Sequence, residues 1–130
     1  MSKKKKKDTG KYKSHFELEM SYRMPEDSYE CDELTYTIPA TEHKYIPDWT
    51  VTASDGHKIY LESKGRFRTK AEADKYLLVR DSNPGIDLRF VIQSEKTLMP
   101  RSKKTTMKQW LEKNGFKTYV WPNIPNPNRM

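Results

Sequence analysis

The sequence predicts an α/β protein of the α+β kind, in which helices flank a mixed sheet. Three observations support this fold class. Helix-like and strand-like patterns alternate along the chain, a tight-turn signal joins two strands directly, and one later apolar run is typical of a strand buried on both faces. With 130 residues and no internal repeat, the chain is expected to form one domain.

The first two predicted elements are a helix and a strand. Ser14 and Glu17 have the spacing of a capping box and predict a helix that ends at Pro25. A period-two pattern over residues 34–38 predicts a strand that ends at Pro39. A polar loop is expected to follow this strand.

A β-hairpin and a second helix come next. Residues 49–52 alternate as a strand, and Asp55-Gly56 is typical of a tight turn because it readily takes positive φ angles. Residues 58–62 form the return strand. A second capping box predicts that a helix begins after Thr69.

The remaining elements complete the sheet. Asn83-Pro84-Gly85 ends the second helix, and the nearly continuous apolar run at residues 88–92 predicts a buried strand. Thr105 or Thr106 begins a short helix that Gly115 closes, and an edge strand is expected after it.

The net charge of +7 is unevenly distributed. Five consecutive lysines occupy residues 3–7, residues 8–97 contain 13 basic and 17 acidic residues, and residues 98–130 contain seven basic residues and one acid. Basic ends can bind phosphate, although lysine runs also simply increase solubility. We expect a basic flexible arm, a folded domain that carries the function, and a tail rich in proline and asparagine, at residues 1–11, 12–121 and 122–130.

Several classes of protein are not expected. No stretch approaches the ~20 apolar residues of a membrane helix, and the lysine-rich amino end does not resemble a secretory signal. The single cysteine, Cys31, excludes an internal disulfide framework and a cysteine-rich zinc site. These features predict a cytoplasmic protein without a membrane partner.

The residues that carry chemistry flank the predicted hairpin. Asp48 follows Pro47 and opens one strand, and Glu62 ends the return strand, so the turn brings the two carboxylates together. Lys64 lies two positions after Glu62 and therefore on the same face. Two converging carboxylates favour a hard cation such as Mg²⁺ or Mn²⁺.

Carboxylates, a divalent cation and a lysine are the minimum apparatus for hydrolysing a phosphodiester. Lys64 would orient a water molecule or offset charge on a phosphate. A purely structural interpretation stays open, because Pro-Asp is common in turns and Glu-x-Lys is common on a solvated strand face.

A longer string of residues surrounds this motif. Its segments are Thr37-Ile38-Pro39-Ala40, His43, Tyr45, Pro47-Asp48, Leu61-Glu62-Ser63-Lys64-Gly65, Leu77-Leu78-Val79-Arg80, Pro84 and Asp87-Leu88-Arg89-Phe90-Val91. The string closely resembles the phage endonuclease I family of Holliday-junction resolvases, in the PD-(D/E)xK nuclease superfamily. The resemblance covers roughly residues 37–97. It implies a restriction-endonuclease-like core that acts on branched DNA and four-way junctions.

The resemblance also implies further site residues and an assembly. A metal-binding glutamate is expected on the first helix, where Glu17 matches and Glu19 is the alternative; a capping role for Glu17 that needs no metal remains open. The backbone carbonyl of Ser63 would be a metal ligand, with the Ser63 side chain facing away from the metal. The family further implies an intertwined homodimer, in which Glu17 of one chain completes the partner's site.

Basic residues after the return strand and around the last helix, together with one histidine, are candidate DNA contacts. Their alternative roles are a solvated helix entrance and a structural histidine. The candidates are Arg66, Arg68, Lys70, His43, Arg101, Lys103, Lys104 and Lys108.

The sequence thus predicts a metal-dependent, structure-selective DNA endonuclease that resolves Holliday junctions and other branched DNA. Its catalytic residues would be Glu17, Asp48, Glu62 and Lys64. A phage-encoded enzyme of this kind would act in the host cell cytoplasm. Two alternatives stay open: a related nuclease acting on linear or mismatched duplex DNA, and a non-enzymatic basic nucleic-acid-binding protein.

Overall fold

Helices and strands follow the predicted order, with one additional strand. The computed structural model describes residues 9–38 and 41–130. In chain order the elements are α1 (His15–Ser21), β1 (Leu34–Ile38), β2 (Thr41–Tyr45), β3 (Trp49–Thr52), β4 (Lys58–Lys64), α2 (Lys70–Ser82), β5 (Asp87–Ile92), α3 (Met107–Lys113), β6 (Lys117–Val120) and a final 3₁₀ turn (Pro127–Arg129).

The central sheet contains four strands in the order β3-β4-β5-β6. β3 and β4 are antiparallel and joined by the predicted hairpin, whereas β4, β5 and β6 run parallel to one another. Gly56 in the hairpin turn has φ +91°, a conformation that glycine adopts without strain. The prediction of a mixed α/β fold is confirmed.

β1 and β2 form a separate antiparallel ribbon. The prediction of a polar loop after β1 is wrong, because β2 pairs along its whole length with β1. Tyr36 and Tyr45 are buried on this ribbon although the segment between them is mostly polar. The ladder hydrogen bonds satisfy the backbone, so the strand needs no continuous apolar pattern.

Two apolar clusters cover opposite faces of the sheet. β4 alternates between them, with Ile59 and Leu61 in the first cluster and Tyr60 against the second. α1 supplies Phe16 and Met20 to the first cluster. α2, α3 and the ribbon cover the other face, where the buried residues include Tyr36, Tyr45, Tyr76, Val79, Phe90, Met107 and Leu111.

The helices begin at predicted caps, but at α1 and α2 the glutamate of the predicted capping box bonds elsewhere, and α1 is shorter than expected. Ser14 caps α1, Thr69 caps α2, and Thr106 forms a full capping box with Gln109 at α3. α1 ends at Ser21, earlier than the predicted stop at Pro25. Residues 22–24 continue as turns, since proline disfavours the helical conformation in the residue before it.

The amino end is described only in part, whereas the carboxyl end is described to residue 130. Of the predicted basic arm, only residues 9–11 belong to the described chain. At the other end, Ile124 and Met130 pack against the cluster on the α1 face, and Pro127 is buried. Within residues 9–38 and 41–130, no helix is long and apolar enough to cross a membrane.

Candidate active site

Three carboxylates meet between α1 and the start of β3. Glu17, Glu30 and Asp48 each offer an oxygen within 4.8 Å of the others. Glu17 and Asp48 are buried, and Glu30 is half-buried. This carboxylate cluster presents only oxygen donors at close spacing, which is the donor set that Mg²⁺ and Mn²⁺ prefer. The residues therefore fit the predicted cation.

Glu17 reaches the cluster from the first turn of α1. The Ser14 hydroxyl accepts a hydrogen bond from the Glu17 backbone N–H at 3.1 Å, and the Glu17 carboxylate accepts one from the Tyr29 hydroxyl at 2.6 Å. Glu19 instead accepts a hydrogen bond from the Trp121 indole at 3.0 Å and is exposed. Of the two glutamates considered from the sequence, the structure brings Glu17 to Asp48.

Burial and charge both perturb Glu17. Its pKa is raised above the ordinary value, first because burial disfavours the carboxylate and then because the Asp48 charge repels it. The Tyr29 hydrogen bond acts in the opposite direction. The Lys13 ammonium, which pairs with Glu30, also lowers this pKa, and a bound divalent cation would lower it further.

Glu30 is a cluster member that the sequence analysis missed. Its backbone N–H donates to the Asp48 carbonyl at 2.9 Å, and Thr50 N–H donates to the Ser28 carbonyl at 3.1 Å, so the segment runs along the edge of β3. Glu30 has φ +47°, a conformation that is uncommon for a residue with a side chain. The acidic run over residues 26–33 was the available signal.

Ser63 orients Asp48. One Asp48 oxygen, Oδ2, accepts hydrogen bonds from the Ser63 backbone N–H at 2.9 Å and from the Ser63 hydroxyl at 2.7 Å. The expectation that the Ser63 side chain faces away from the site is wrong. Alternation along β4 directs Leu61 and Ser63 to the α1 face, where Asp48 lies.

Glu62 lies on the other face of β4 and has different partners. Its carboxylate accepts hydrogen bonds from the Tyr45 hydroxyl at 2.5 Å and the Tyr76 hydroxyl at 3.2 Å. Burial, and then the nearby Asp48 charge, raise the pKa of Glu62 to about 8. The hairpin thus places Glu62 close enough for the Asp48 charge to affect its pKa, but the Glu62 carboxylate is not part of the carboxylate cluster.

Lys64 lies on the same face as Glu62, as predicted. Its ammonium is 3.0 Å from Glu72 Oε1 and 3.9 Å from Glu62 Oε2. Glu72 also accepts the Arg68 backbone N–H at 3.0 Å. We refer to Tyr45, Glu62, Lys64, Glu72 and Tyr76 as the Glu62 network.

Lys75 adds a second cation near this network. Its ammonium lies 4.8 Å from the centre of the Tyr76 ring and 5.6 Å from that of Tyr45. Burial lowers the pKa of Lys75, while the Glu62 charge opposes that shift. Lys75 was not among the residues predicted from the sequence, although it lies one helical turn after Glu72.

A cleft of about 480 Å³ opens beside both groups, and we call it the acidic cleft. Glu17 and Ser63 line it on the side of the carboxylate cluster, and Lys64 lines it on the side of the Glu62 network. Arg66 and Arg68 line the same cleft and are exposed. A phosphate in this cleft would therefore face both carboxylates and cations.

The other candidate DNA contacts lie further out. Lys70 pairs with Asp74, and Lys108 pairs with Glu112 at 3.4 Å. His43 lies in β2 rather than in a loop, and its ring stacks on Tyr36 at 5.3 Å between ring centres. The remaining three are exposed in the segment before α3: Arg101, Lys103 and Lys104.

Comparison with known proteins identifies relatives among phage nucleases. The chain is 33% identical over 89 residues to Endonuclease I of Escherichia phage T7, an alignment that covers 68% of this chain and 56% of the relative. It is 31% identical over 88 residues to Endodeoxyribonuclease 1 of Enterobacteria phage T3, with 68% and 55% covered. The matched part thus spans a little over half the length of these relatives.

The family match is more extensive than either pairwise alignment. The profile described as Phage endonuclease I matches residues 1–126, which include all three members of the carboxylate cluster and the Glu62 network. A match over nearly the whole chain, supported by two named relatives, is sufficient to assign the family. This chain belongs to the phage endonuclease I family.

Proposed function

We propose that this protein is a metal-dependent endodeoxyribonuclease that cleaves branched DNA, including four-way junctions, by phosphodiester hydrolysis. The observation that carries the proposal is the carboxylate cluster, whose Glu17 lines the same cleft as Lys64, in a chain of this family. The names of both relatives support the endodeoxyribonuclease class. If the protein is phage-encoded, we expect it to act in the host cell cytoplasm.

The carboxylate cluster is the proposed site for a Mg²⁺ or Mn²⁺ ion. Glu17 and Asp48 would hold the ion with Glu30 as a third carboxylate, and the Ser63 carbonyl and Glu62 are further candidate ligands. A divalent cation supplies charge stabilisation for a phosphate and activation of water. The two hydrogen bonds from Ser63 keep the Asp48 carboxylate directed at the cluster.

The Glu62 network is proposed to position Lys64. Glu72 holds the Lys64 ammonium at 3.0 Å, so the lysine keeps one orientation at the wall of the acidic cleft. From there its N–H groups can donate to a phosphate oxygen or to an attacking water. Tyr45 and Tyr76 in turn hold Glu62 in place.

The candidate DNA contacts remain proposals. Arg66 and Arg68 are the best placed, because both line the acidic cleft. Lys70 and Lys108 already pair with carboxylates and would exchange that partner for phosphate, whereas His43 is engaged in ring stacking. The exposed residues Arg101, Lys103 and Lys104 would contact DNA beyond the cleft.

An intertwined homodimer is also proposed. α1, Tyr29 and Glu30 precede the β1–β2 ribbon, and Asp48 follows it. The ribbon is separate from the main sheet, so exchanging the segment before it between two chains would preserve every contact of the site. In the single chain, Glu17 lies beside Asp48 of the same chain.

Substrate choice is tested with three DNAs. The protein is incubated with a four-way junction, a linear duplex and single strands, each with and without Mg²⁺, and both binding and cutting are measured. We expect the protein to cut the junction but not the other two DNAs, and to do so only when Mg²⁺ is present. Equal cutting of the linear duplex would instead indicate a general nuclease, and DNA binding without any cutting would indicate a binding protein.

Two variants test the catalytic roles in the same assay. Lys64→Ala and Glu62→Ala are expected to bind the junction but not to cut it in Mg²⁺. Undiminished cleavage by either variant would contradict the mechanism.

Chain exchange is tested by mixing inactive variants. Glu17→Gln and Asp48→Asn chains are unfolded together and refolded as a mixture. In an exchanged heterodimer one site contains both substitutions and the other contains neither, so cutting should return. A mixture that stays inactive while each variant is folded would exclude a shared site.

A further inference from the structure

A second cleft adjoins the acidic cleft, and the two share residues. This Leu98 cleft has a volume of about 440 Å³ and is lined by Arg66, Phe67, Arg68, Thr97, Leu98 and Pro100. Arg66 and Arg68 also line the acidic cleft. The two arginines therefore form the ridge between the proposed catalytic site and the Leu98 cleft.

The ridge carries charge that is available to an anion. Within the described chain, neither Arg66 nor Arg68 forms a side-chain ion pair with a carboxylate, whereas nearby Lys64 and Lys70 pair with Glu72 and Asp74. Guanidinium groups bind phosphate through parallel hydrogen bonds. A DNA phosphate just outside the acidic cleft would therefore contact these two arginines.

The far wall of the cleft is apolar and fixed. Leu98 is 43% exposed, unusual for a large apolar residue in this protein. It forms an isolated bridge with Thr106, and Met99 N–H donates to the Thr105 carbonyl at 2.9 Å, so the backbone holds Leu98 in place. Phe67 forms a buried floor that packs on Tyr76, Phe90 and Trp110.

The cationic surface continues beyond Leu98. The backbone bonds that close residues 98–106 into a loop leave Arg101, Lys103 and Lys104 exposed on it. None of these three forms an ion pair in the part of the chain that is described. The order along the surface is thus acidic cleft, arginine ridge, apolar cleft and cationic loop.

We propose that the Leu98 cleft binds the nucleotide adjacent to the scissile phosphate, with Arg66 and Arg68 on its phosphate and Leu98 against its base and sugar. The inference rests on the proposed nuclease function, because it takes the acidic cleft as the place of cutting. A nucleotide matches the cleft chemically, since it joins an anionic phosphate to a flat base whose faces can pack against an apolar side chain. A free phosphate would use the arginines and leave Leu98 without a role.

The test combines protein variants with DNA that lacks single bases. Equilibrium binding in metal-free buffer is measured for a four-way junction and for copies with one abasic sugar at successive positions around the branch. The proteins are the wild type, Leu98→Ala, Arg66→Ala and Arg68→Ala. Arg129→Ala is a charge control from the C-terminal turn, and Tyr22→Ala is a control for an exposed apolar side chain.

The account predicts coupling between Leu98 and one base. Leu98→Ala should bind the intact junction about fivefold more weakly, and the abasic site that weakens wild-type binding should have no further effect on this variant. Each arginine variant should bind the intact junction about tenfold more weakly than the wild type. Both controls should bind like the wild type.

Cutting of the same junctions in Mg²⁺ then locates the sensitive base, which should lie next to the cut. Wild-type affinity in Leu98→Ala, or an unchanged abasic profile, would overturn the nucleotide cleft whether or not the protein cuts. A sensitive base remote from the cut would also overturn it. Absence of cutting with the predicted coupling intact would refute the nuclease function, and with it the position next to a cut, but not the binding of a nucleotide in the Leu98 cleft.

Discussion

The charged side chains on the two faces of β4 are balanced in different ways. On the α1 face, Ser63 directs Asp48 towards Glu17 and Glu30, and Glu30 forms an ion pair with the exposed Lys13 at 2.6 Å. On the α2 face, the Glu62 network alternates carboxylates with hydroxyls and an ammonium. The network is internally satisfied, whereas the carboxylate cluster carries an excess of negative charge.

From this difference in charge balance we infer separate roles for the carboxylate cluster and the Glu62 network. Three close carboxylates repel one another and raise the free energy of the folded state unless a cation joins them. The Glu62 network needs no external ion, because each carboxylate already has donors. We therefore expect metal to stabilise the carboxylate cluster and the network to hold Lys64 rigid.

The largest effect should come from the centre of the carboxylate cluster. Asp48→Asn removes a charge but keeps the size of the side chain, and we expect cleavage of a four-way junction to fall by at least about a thousandfold. Glu95→Gln, at an exposed loop position, is the matched control and should cut normally. Cleavage by Asp48→Asn within a few fold of wild type would refute the role of the cluster.

A smaller effect should distinguish Glu30 from Glu19. Glu30→Gln weakens the cation site and should lower cleavage by about 10- to 100-fold, partly recovered at higher Mg²⁺ concentration. Glu19→Gln changes only the contact with Trp121 and should leave cleavage unchanged. If the two variants lose the same activity, Glu30 is not a member of the site.

Removing a hydroxyl from the Glu62 network should lower the stability of the fold. Tyr45→Phe and Tyr76→Phe each leave the buried Glu62 short of one donor, so the free energy of unfolding should fall by about 1–3 kcal/mol. Urea unfolding measures this change in free energy, and Tyr60→Phe is the control because Tyr60 is only half-buried. Unchanged stability in both variants would show that Glu62 does not depend on these hydroxyls.

The smallest effect lies at the hairpin turn, away from both groups. His57 bonds to Asp87 at 3.0 Å and also to Asp55, and these contacts raise the pKa of His57 above its ordinary 6.5. The backbone and side-chain hydrogen bonds of His57 lower the pKa of Asp55 below 3.8, and hydrogen bonds first from Arg89 and then from His57 lower the pKa of Asp87. The protonated histidine therefore stabilises the fold below pH 6.5 and loses this effect as the pH rises through its folded pKa.

Thermal unfolding of His57→Gln checks this assignment. The variant should melt below the wild type at a pH of about 5.5, where His57 is charged and both aspartates are ionised, and the difference should shrink at a pH of about 9. An equal difference at both pH values would mean that the charge of His57 is irrelevant. The aspartate contribution should disappear separately in acid, as the pH falls through their lowered pKa values.

Local signals in the sequence were sufficient for most elements of the fold. Asp55-Gly56 and the caps at Thr69 and Thr106 depend on neighbouring residues only, so a single sequence reveals them. β2 could not be predicted, because its stability comes from pairing with β1 rather than from its own polar sequence.

The site was predictable only where it follows strand geometry. Alternation places Lys64 with Glu62, as the sequence indicated. The hairpin brings Asp48 close enough to raise the pKa of Glu62, but the two carboxylates have separate hydrogen-bond partners and do not form the pair expected from the sequence. Glu30 joins through the path of an irregular segment along β3, which no spacing rule describes. Alternation does turn Ser63 away from Glu62, but the Asp48 carboxylate lies on that same α1 face, which strand spacing alone does not indicate.

Direct location of the cation tests the central claim. A crystal of the protein soaked in Mn²⁺ gives an anomalous signal at the ion itself. The account predicts a peak within coordination distance, about 2.0–2.3 Å, of oxygens from Asp48 and from Glu17 or Glu30, and loss of the peak in Asp48→Asn. An ion bound only elsewhere, or no ion at millimolar Mn²⁺, would contradict it.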